Sequence, residues 1–435
     1  MLTSIGKKRP FLLATVAALA LTVLAPLSVS AHDGGDPVPA PAGSAHLVKL
    51  GQFDVPINGL TSDVWALGNY AYLGSFSSPF CSFDITGVRI IDISDPTDPQ
   101  QVAFIKDKQG TRTNDVKAAS LNTSKWSGDI LVSTNEGCGV SLPRLNADGN
   151  AAKGRGGRGG INIYDVTDPT KPHALKQNFL PKANGIHNTY IWEDGDGNAY
   201  LLAVDDVALA DVIVVDITNP ASPKEIARTG QEDWPSDIAA EIEGPSVFLH
   251  DVWVQDGIAY LSYWDAGLVL LDVSDPSDPQ FISQTNYWPE EEGDTHVAVP
   301  ARGGNLVITG DEDFSPDPWG FMRVFDSQDE FAPVQVGTYD TGNLATPPSE
   351  GDFSMHNVIV RGNTAYVSWY SDGIQLVDIS QPSSPRGIGS FIPEAADDPF
   401  GILPSAPEMW GVYVQGNLIL GSDMNSGLHV LKTKP

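Results

Sequence analysis

A short apolar run that ends in a polar turn recurs along the chain. The six copies read VRIIDISDPTDP, INIYDVTDPTKP, VIVVDITNPASP, LVLLDVSDPSDP, MRVFDSQDEFAP and IQLVDISQPSSP, and their apolar runs end at Asp92, Asp165, Asp216, Asp272, Asp326 and Asp378. Apolar runs of this length bounded by turn residues predict β-strands. Because an Asp side chain accepts hydrogen bonds from nearby backbone N–H groups, each copy predicts a strand followed by a tight turn.

The spacing of the copies indicates a repeated four-stranded unit. Successive Asp residues are 73, 51, 56, 54 and 52 residues apart. Two further strand patterns precede each copy, as in HNVIVRGNTAYVSWYSDG, and a fourth follows, as in PRGIGSFIP. Four strands in a repeat of about 50 residues are typical of a β-propeller blade. The longer first gap indicates an insertion in the second repeat.

The two ends of the chain complement each other. The C-terminal segment MWGVYVQGNLILGSDMNSGLHVLKTKP carries three strand patterns, and HLVKLGQFDVP near residue 46 supplies a fourth. We therefore predict an all-β fold, a single domain over residues 46–435. It would be a seven-bladed propeller whose ring is closed by a split blade, which removes the open sheet edge. Six or eight blades would leave strands unassigned, and a solenoid would not explain the complementary ends.

The repeated segments resemble a known family. LVLLDVSDPSDP and IQLVDISQPSSP resemble the LVIVD repeat of secreted or surface proteins of bacteria and archaea. The resemblance covers nearly all of the chain after its N-terminal segment, and it implies a β-propeller outside the cytoplasm. It implies no activity, because the motif consists of core positions and a turn. The fifth copy departs from the pattern, and the C-terminal copy has Lys432 where the others have Asp.

The N-terminus predicts an export signal. Basic residues at positions 7–9 precede an apolar stretch, and the small residues at 29–31 fit a signal-peptidase site, so residues 1–31 predict a secretory signal peptide. An uncleaved membrane anchor is the alternative. Residues 32–45 predict a flexible lead-in. No later stretch is apolar enough to span a bilayer, so we expect a secreted chain, periplasmic, extracellular or bound to the cell surface.

The charge of the chain excludes one class of partner. The 435 residues include 25 Lys and Arg against 55 Asp and Glu, a formal net charge of −30. A chain this acidic repels phosphate backbones, so we expect no nucleic-acid partner. Hydrophobic residues make up 41% of the sequence, which is enough for a globular core.

The two cysteines fit an oxidising compartment. Cys81 and Cys138 fall in corresponding regions of neighbouring repeats. A disulfide between them is one expectation for an exported protein. A pair of buried free thiols is the alternative.

Histidines recur where the first strand of a blade begins. The first strand of a propeller blade lines the central channel, and ligands bind at the channel mouth. The seven starts read SDV (62–64), NDV (114–116), HNT (187–189), HDV (250–252), THV (295–297), HNV (356–358) and WGV (410–412). His187, His250 and His356 share one column, and His296 is offset by one residue. Because imidazoles are common ligands of transition metals, these four residues predict a site for one divalent transition-metal ion.

Acidic and aromatic residues lie close to the same face in the predicted topology. Carboxylates could complete a coordination sphere, orient the imidazoles or act as a general base, and aromatic rings could stack on a sugar. The residues in question are Asp205, Asp251, Asp265, Asp311, Asp313, Trp264 and Trp369. The alternative is structural: histidines that bond neighbouring blades, and rings that pack between blades.

One acidic loop raises the question of calcium. The segment GDEDFSPDPWG at residues 310–320 has closely spaced carboxylates but lacks the Gly and Glu of an EF-hand. An irregular calcium site and a solvated acidic loop are the two interpretations.

Two functions follow from these features. The first is a secreted binding or scaffold protein that recognises a protein, a glycan or a small molecule at the channel mouth. The alternative is a metal-dependent lyase, hydrolase or oxidase that acts on an extracellular substrate through a histidine-bound metal on the axis. The sequence has no G-x-S-x-G nucleophile motif.

Overall fold

The computed structural model describes most of the chain after the N-terminal segment. The described residues are 46–55, 61–76, 86–108, 111–137, 159–180, 185–206, 208, 210–235, 247–285, 293–314, 319–343, 350–397, 403 and 405–434. The predicted signal peptide, the lead-in and the two cysteines of the predicted disulfide lie outside them. Within these residues no helix is long and apolar enough to cross a membrane.

Apart from one 3-10 turn at Gln231–Asp233, the described elements are β-strands. Blade 1 consists of β2 (Thr61–Leu67), β3 (Tyr70–Ser75), β4 (Gly87–Asp92) and β5 (Gln100–Lys106). Blade 2 consists of β7 (Val116–Asn122), β8 (Ser127–Gly137), β9 (Gly160–Asp165) and β10 (His173–Phe179), with the short β6 (Thr111–Arg112) added to β8. Blade 3 consists of β11 (Thr189–Glu193), β12 (Ala199–Val204), β13 (Val212–Asp216) and β14 (Lys224–Thr229).

The remaining blades continue the same order. Blade 4 consists of β15 (Asp251–Gln255), β16 (Ile258–Ser262), β17 (Leu268–Asp272) and β18 (Gln280–Thr285). Blade 5 consists of β19 (Thr295–Ala301), β20 (Leu306–Asp311), β21 (Met322–Asp326) and β22 (Val334–Tyr339). Blade 6 consists of β23 (Val358–Arg361), β24 (Thr364–Trp369), β25 (Gly373–Asp378) and β26 (Arg386–Phe391). The closing blade joins β1 (His46–Phe53) to β27 (Met409–Gln415), β28 (Leu418–Asp423) and β29 (Gly427–Lys434).

The seven sheets form a closed ring. The first strand of each blade contacts the first strand of the next, and β27 of the closing blade contacts β2 of blade 1. Strand β1 pairs antiparallel with β29, from His46 opposite Lys434 to Phe53 opposite Leu428. This pairing joins the two ends of the chain by backbone hydrogen bonds and leaves no open edge in the ring. The predicted seven-bladed propeller with a split closing blade is confirmed.

The repeated motif forms the third strand and its turn. The Asp at the end of each third strand accepts a backbone N–H from the residue two positions later, at 2.8–3.1 Å in all six copies. The apolar run before it is buried, as Val269 and Leu271 in blade 4 illustrate. These two side chains pack with Leu202 and Val212 of blade 3. Apolar burial between neighbouring blades therefore holds the ring together.

Candidate metal site at the channel mouth

Four imidazoles form a continuous arc at the mouth of the channel. His187, His250, His296 and His356 come from four consecutive blades, where each first strand begins. Their ring centroids are 4.4, 4.0 and 4.1 Å apart in that order. The structure thus brings together all four histidines that the sequence aligned.

One polar side chain and one aromatic side chain extend the arc at its two ends. Asn114 of blade 2 places its Nδ2 3.3 Å from His187 Nε2. Trp410 of the closing blade lies against His356, with ring centroids 4.2 Å apart. Both residues occupy the position in their blades that the histidines occupy in blades 3 to 6, so the arc follows directly from the repeat.

A β-bulge explains the offset of His296. The register between β19 and β20 pairs Thr295 with Asp311 and Val297 with Gly310, which leaves His296 as the extra residue. A bulge redirects the side chain of its extra residue. The one-residue offset in the sequence is therefore compensated in the strand, and His296 joins the arc.

A second ring of side chains surrounds the histidines, and we call it the outer ring. In three blades the backbone N–H of the arc histidine donates to a backbone carbonyl at the end of the second strand. The side chain two residues after that carbonyl contacts the histidine ring. These outer-ring residues are Asp206, Trp264 and Tyr370, which follow Val204, Ser262 and Ser368. Glu136 of blade 2 and Glu312 of blade 5 hold the equivalent places.

His250, His296 and Glu312 form one potential ligand group, which we call the neutral cluster. One ligand atom from each of these three buried residues lies within 4.8 Å of the other two. The Glu312 carboxylate is 3.6 Å from His296 Nε2 and 3.6 Å from His356 Nε2. The Tyr370 hydroxyl donates a hydrogen bond to Glu312 and so orients its carboxylate.

The imidazoles of this half of the arc are neutral. Burial lowers the pKa of His250 and His296 well below the ordinary value, and it lowers the pKa of His356 to about 3. The Nδ1 atoms of all three rings are buried without a hydrogen-bond partner in the described protein, as is Nε2 of His356. Burial raises the pKa of Glu312 to about 7. A bound cation would stabilise both the ionised carboxylate and the free nitrogen lone pairs.

Glu136, His187 and Asp206 form a second group, which we call the charged cluster. Its ligand atoms also lie within 4.8 Å of one another. His187 Nδ1 bonds to one oxygen of Glu136 and lies 3.9 Å from Asp206 Oδ2. Arg112 donates to the other oxygen of Glu136.

Charge pairing sets the protonation of this cluster. Burial alone would lower the pKa of His187, but the Glu136 and Asp206 carboxylates raise it to about 9. Burial alone would raise the pKa of Glu136, but Arg112 and His187 lower it to about 2. Burial raises the pKa of Asp206 to about 7. His187 is therefore an imidazolium paired with a carboxylate, whereas the other three rings of the arc are neutral.

The channel below the arc is lined first by charges and then by aromatic rings. One residue deeper than the arc, Asp63 Oδ2 lies 3.1 Å from the Lys117 ammonium, which also pairs with Asp115. Burial raises the pKa of Asp251 in the same layer to about 7. Asp251, a predicted ligand, thus lies beneath the histidines.

Aromatic side chains fill the axis farther down. The Trp65 and Trp253 rings, from blades on opposite sides of the ring, are 6.4 Å apart between centroids. Tyr413 lies 4.3 Å from Trp65, and Tyr190 lies 4.6 Å from Trp253. Because these rings meet across the axis, the histidines are reached from the mouth.

The other predicted site residues are distributed unevenly. Trp264 belongs to the outer ring, with its centroid 5.3 Å from that of His250. Asp311 instead pairs with Arg323, with its Oδ2 2.8 Å from the guanidinium Nε. Asp205 Oδ2 lies 3.7 Å from Arg228. Their carboxylates are thus directed to arginines within their own blades.

Trp369 is a core residue. Its side chain is fully buried between blades 5 and 6, and its indole N–H donates to the carbonyl of Phe353 at 2.7 Å. This placement matches the alternative in which the ring packs between blades. Tyr370, the next residue, is the one that faces the arc.

Asp265 and Asp313 lie in loops after second strands. Asp265 is buried, and the Asp313 N–H donates to the Ser354 hydroxyl at 3.0 Å. Residues 315–318 of the acidic loop lie outside the described residues, so calcium binding there stays a prediction.

Several outer-ring residues lie one position after the residues that the sequence favoured. Of the neighbouring pairs in these loops, the sequence favoured Asp205, Asp311 and Trp369, whereas the structure brings the next residues, Asp206, Glu312 and Tyr370, to the mouth. Consecutive side chains of extended backbone point to opposite sides, so a shift of one residue exchanges core and channel. Counting two residues forward from the carbonyl that accepts the histidine backbone N–H locates Asp206 and Tyr370. Glu136 gave no such signal, because it adjoins the insertion that interrupts the second repeat, and Arg112 gave none because it lies in the short added strand β6.

One comparison with known proteins agrees with the fold. The family described as the LVIVD repeat matches residues 58–105, 207–229, 249–286 and 354–392. No curated protein matches the chain. The computationally designed Ika8 protein is a similar solved structure, with 11% identity, a TM-score of 0.47 and coverage of 88% of this chain and 99% of that one.

A second similar structure comes from Bacteroides uniformis ATCC 8492 and is described as a proposed 6-phosphogluconolactonase. It has 11% identity and a TM-score of 0.49, and the match covers 74% of this chain and 81% of that one. At these TM-scores neither likeness indicates a function. The chain therefore carries segments that match the LVIVD repeat, and it folds as a seven-bladed β-propeller.

Proposed function

We propose that this LVIVD-repeat propeller is an extracellular binding protein that holds a divalent transition-metal ion at its channel mouth and binds its ligand there. The observation that carries the proposal is the neutral cluster: His250, His296 and Glu312 converge within 4.8 Å. Neutral imidazoles that lack protein partners are unfavourable in a buried site unless another group satisfies them.

The donor set suits a transition metal. Two imidazoles and one carboxylate are common ligands of Zn²⁺ and of other first-row metals, and three protein ligands leave positions open for an exogenous ligand. Tyr370 would orient Glu312 from outside the coordination sphere. His356 lies 3.6 Å from Glu312 and is the next candidate ligand. In this proposal His187 belongs to the charged cluster and does not bind the same ion.

Aromatic side chains suggest the class of ligand. Phe248 stacks on Trp264 with centroids 5.0 Å apart, and the partly exposed Phe314 lies 5.3 Å from Tyr370. Rings beside a metal site favour a ligand with an apolar ring face and an oxygen donor, such as a sugar.

Metal analysis of the mature, untagged protein, purified without chelator, tests the proposal. We expect about one equivalent of a transition metal in the wild type after incubation with Zn²⁺ at a limiting, stoichiometric concentration, and we expect the variant with His250→Ala and His296→Ala to retain clearly less. His173→Ala is the matched control, because His173 is exposed on β10, away from the arc. Absence of bound metal from wild-type protein after incubation with zinc, copper and manganese would refute the proposal and make the histidines structural.

A metal-dependent enzyme is the second candidate. The observation that favours it is again the three-ligand cluster, since open positions on a cation can activate water or polarise a carbonyl. Turnover of an extracellular substrate by the wild type, lost in the His296→Ala variant, would favour the enzyme. Saturable ligand binding without turnover would favour the binding protein.

A further inference from the structure

The charged cluster corresponds to the neutral cluster at two of its three ligand positions. In blade 5 the arc residue His296 and the outer-ring residue Glu312 join His250 of the preceding blade. In blade 3 the arc residue His187 and the outer-ring residue Asp206 join Glu136 of the preceding blade. The repeat thus builds two three-ligand groups, two blades apart, which share an arc histidine and an outer-ring carboxyl; their third ligand differs, because His250 is an arc residue and Glu136 an outer-ring residue.

We propose that Glu136, His187 and Asp206 bind a second divalent cation, so that the mouth is a two-metal site. This inference rests on the proposed function, because it assumes that the neutral cluster binds the first ion. The donor set of one imidazole and two carboxylates suits Zn²⁺ and Mn²⁺. It carries more negative charge than the neutral cluster and therefore favours a harder cation.

The hydrogen bond between His187 and Glu136 occupies the place of the ion. His187 Nδ1 bonds Glu136 through a proton, and Asp206 Oδ2 lies 3.9 Å from the same nitrogen. A cation that enters between these atoms displaces that proton to solvent and binds all three side chains. Arg112 stays on the other oxygen of Glu136 and fixes the carboxylate from outside.

The position allows entry from the mouth and proximity to the first ion. The side chains of His187 and Glu136 are 11% and 10% exposed, and that of Asp206 is 22% exposed. The His187 and His250 rings, one from each cluster, are 4.4 Å apart between centroids. Two neighbouring cations would attract an oxyanion, which a chain of net charge −30 otherwise repels.

Metal stoichiometry of the full mature chain tests this inference, with Zn²⁺ and Mn²⁺ alone as probes. At saturating metal we expect about two equivalents in the wild type and about one in a Glu136→Gln, Asp206→Asn variant. His296→Ala should also retain about one equivalent, held by the charged cluster. Asp278→Asn, at an exposed carboxylate in the turn after β17 and at the opposite end of the blade from the arc, is the control and should retain two.

The outcomes separate the two proposals. One equivalent in the wild type, unchanged in the Glu136→Gln, Asp206→Asn variant, would overturn the second site and leave the proposed function intact. No bound metal would overturn both. If that double variant does not fold, Asp206→Ala provides a milder test: a Co²⁺ titration followed by visible absorption should show two steps in the wild type and one in Asp206→Ala. Two steps in this folded single variant would also overturn the second site.

Discussion

The two clusters at the mouth share a backbone plan but differ in charge. In both, an arc histidine and an outer-ring carboxyl of one blade meet a ligand from the blade before. His296 faces neutral imidazoles on both sides, and burial lowers its pKa well below the ordinary value. His187 faces Glu136 and Asp206, which raise its pKa to about 9 against the effect of burial. One repeat position therefore holds a neutral ring in one blade and a charged ring in another.

The difference shows that the blade backbone determines where the ligand side chains lie, whereas the neighbouring side chains determine their protonation. Arg112 adds a cation beside Glu136, whereas a neutral phenol, Tyr370, donates to Glu312. A carboxylate next to a cation stays ionised, and one buried beside neutral groups shifts toward its protonated form. In the metal-free protein the two clusters should accordingly respond to pH in opposite directions.

The largest expected effect is this opposite response to pH. The pKa of His187 is raised in the folded protein, so its charged ring stabilises the fold fully below the unfolded pKa near 6.5. This stabilisation is lost as the pH rises toward about 9. The full pKa shift of His187 contributes on the order of 3 kcal/mol to the free energy of unfolding. The pKa of His296 is lowered in the folded protein, because burial keeps its ring neutral. The fold is therefore not penalised by this ring above pH 6.5 and loses stability as the pH falls below that value.

Urea unfolding of metal-free His187→Gln and His296→Gln between pH 5 and 9 measures this contrast. The stability advantage of wild type over His187→Gln should shrink from pH 6.5 to 9. The advantage over His296→Gln should shrink as pH falls from 6.5 to 5. Slopes of the same sign for both variants would show that the two histidines share one environment.

A smaller effect is expected from the cation of the charged cluster. Arg112→Met should reduce the free energy of unfolding by about 2 kcal/mol, because it leaves the buried Glu136 carboxylate with one partner. The Arg112 side chain is only 26% exposed, whereas Arg386, which pairs with Asp378, is 75% exposed. Arg386→Met is therefore the control and should change stability by less than about 1 kcal/mol. Equal losses in the two variants, measured by urea unfolding, would contradict a buried pair.

The smallest stability change is expected in the neutral cluster. Tyr370→Phe removes the hydroxyl that donates to Glu312 and should cost about 1 kcal/mol in the metal-free protein. Loss of this orienting bond should weaken Zn²⁺ binding at the neutral cluster by about 10-fold to 100-fold. Calorimetric titration with limiting Zn²⁺ measures the change. Unaltered affinity would contradict the proposed orienting role of the Tyr370 hydroxyl.

The sequence was sufficient for the architecture and for the arc. The repeated Asp turn fixed the blade period, the complementary ends predicted the split blade, and the strand starts aligned His187, His250 and His356. These features are periodic, so one chain displays them several times. His296 became part of the arc through a bulge that the sequence suggested only as an offset.

The outer ring was harder to predict because it depends on side-chain direction. Asp311 and Glu312 are adjacent acids after the same strand, yet one pairs with Arg323 inside the blade and the other faces the histidines. Residue type cannot distinguish Asp311 from Glu312. Consecutive side chains of extended backbone point to opposite sides, and this alternation alone decides which of the two acids faces the channel. Glu136 lies where the insertion disrupts the repeat, so no alignment with other blades pointed to it.

The most direct test of the metal site is an anomalous diffraction map from crystals of the protein loaded with Zn²⁺, recorded at the zinc edge. We predict a strong peak bonded to His250, His296 and Glu312, with zinc-to-ligand distances of about 2.0–2.2 Å. Fully loaded crystals with no peak at the neutral cluster, or with zinc bound only elsewhere, would contradict the account.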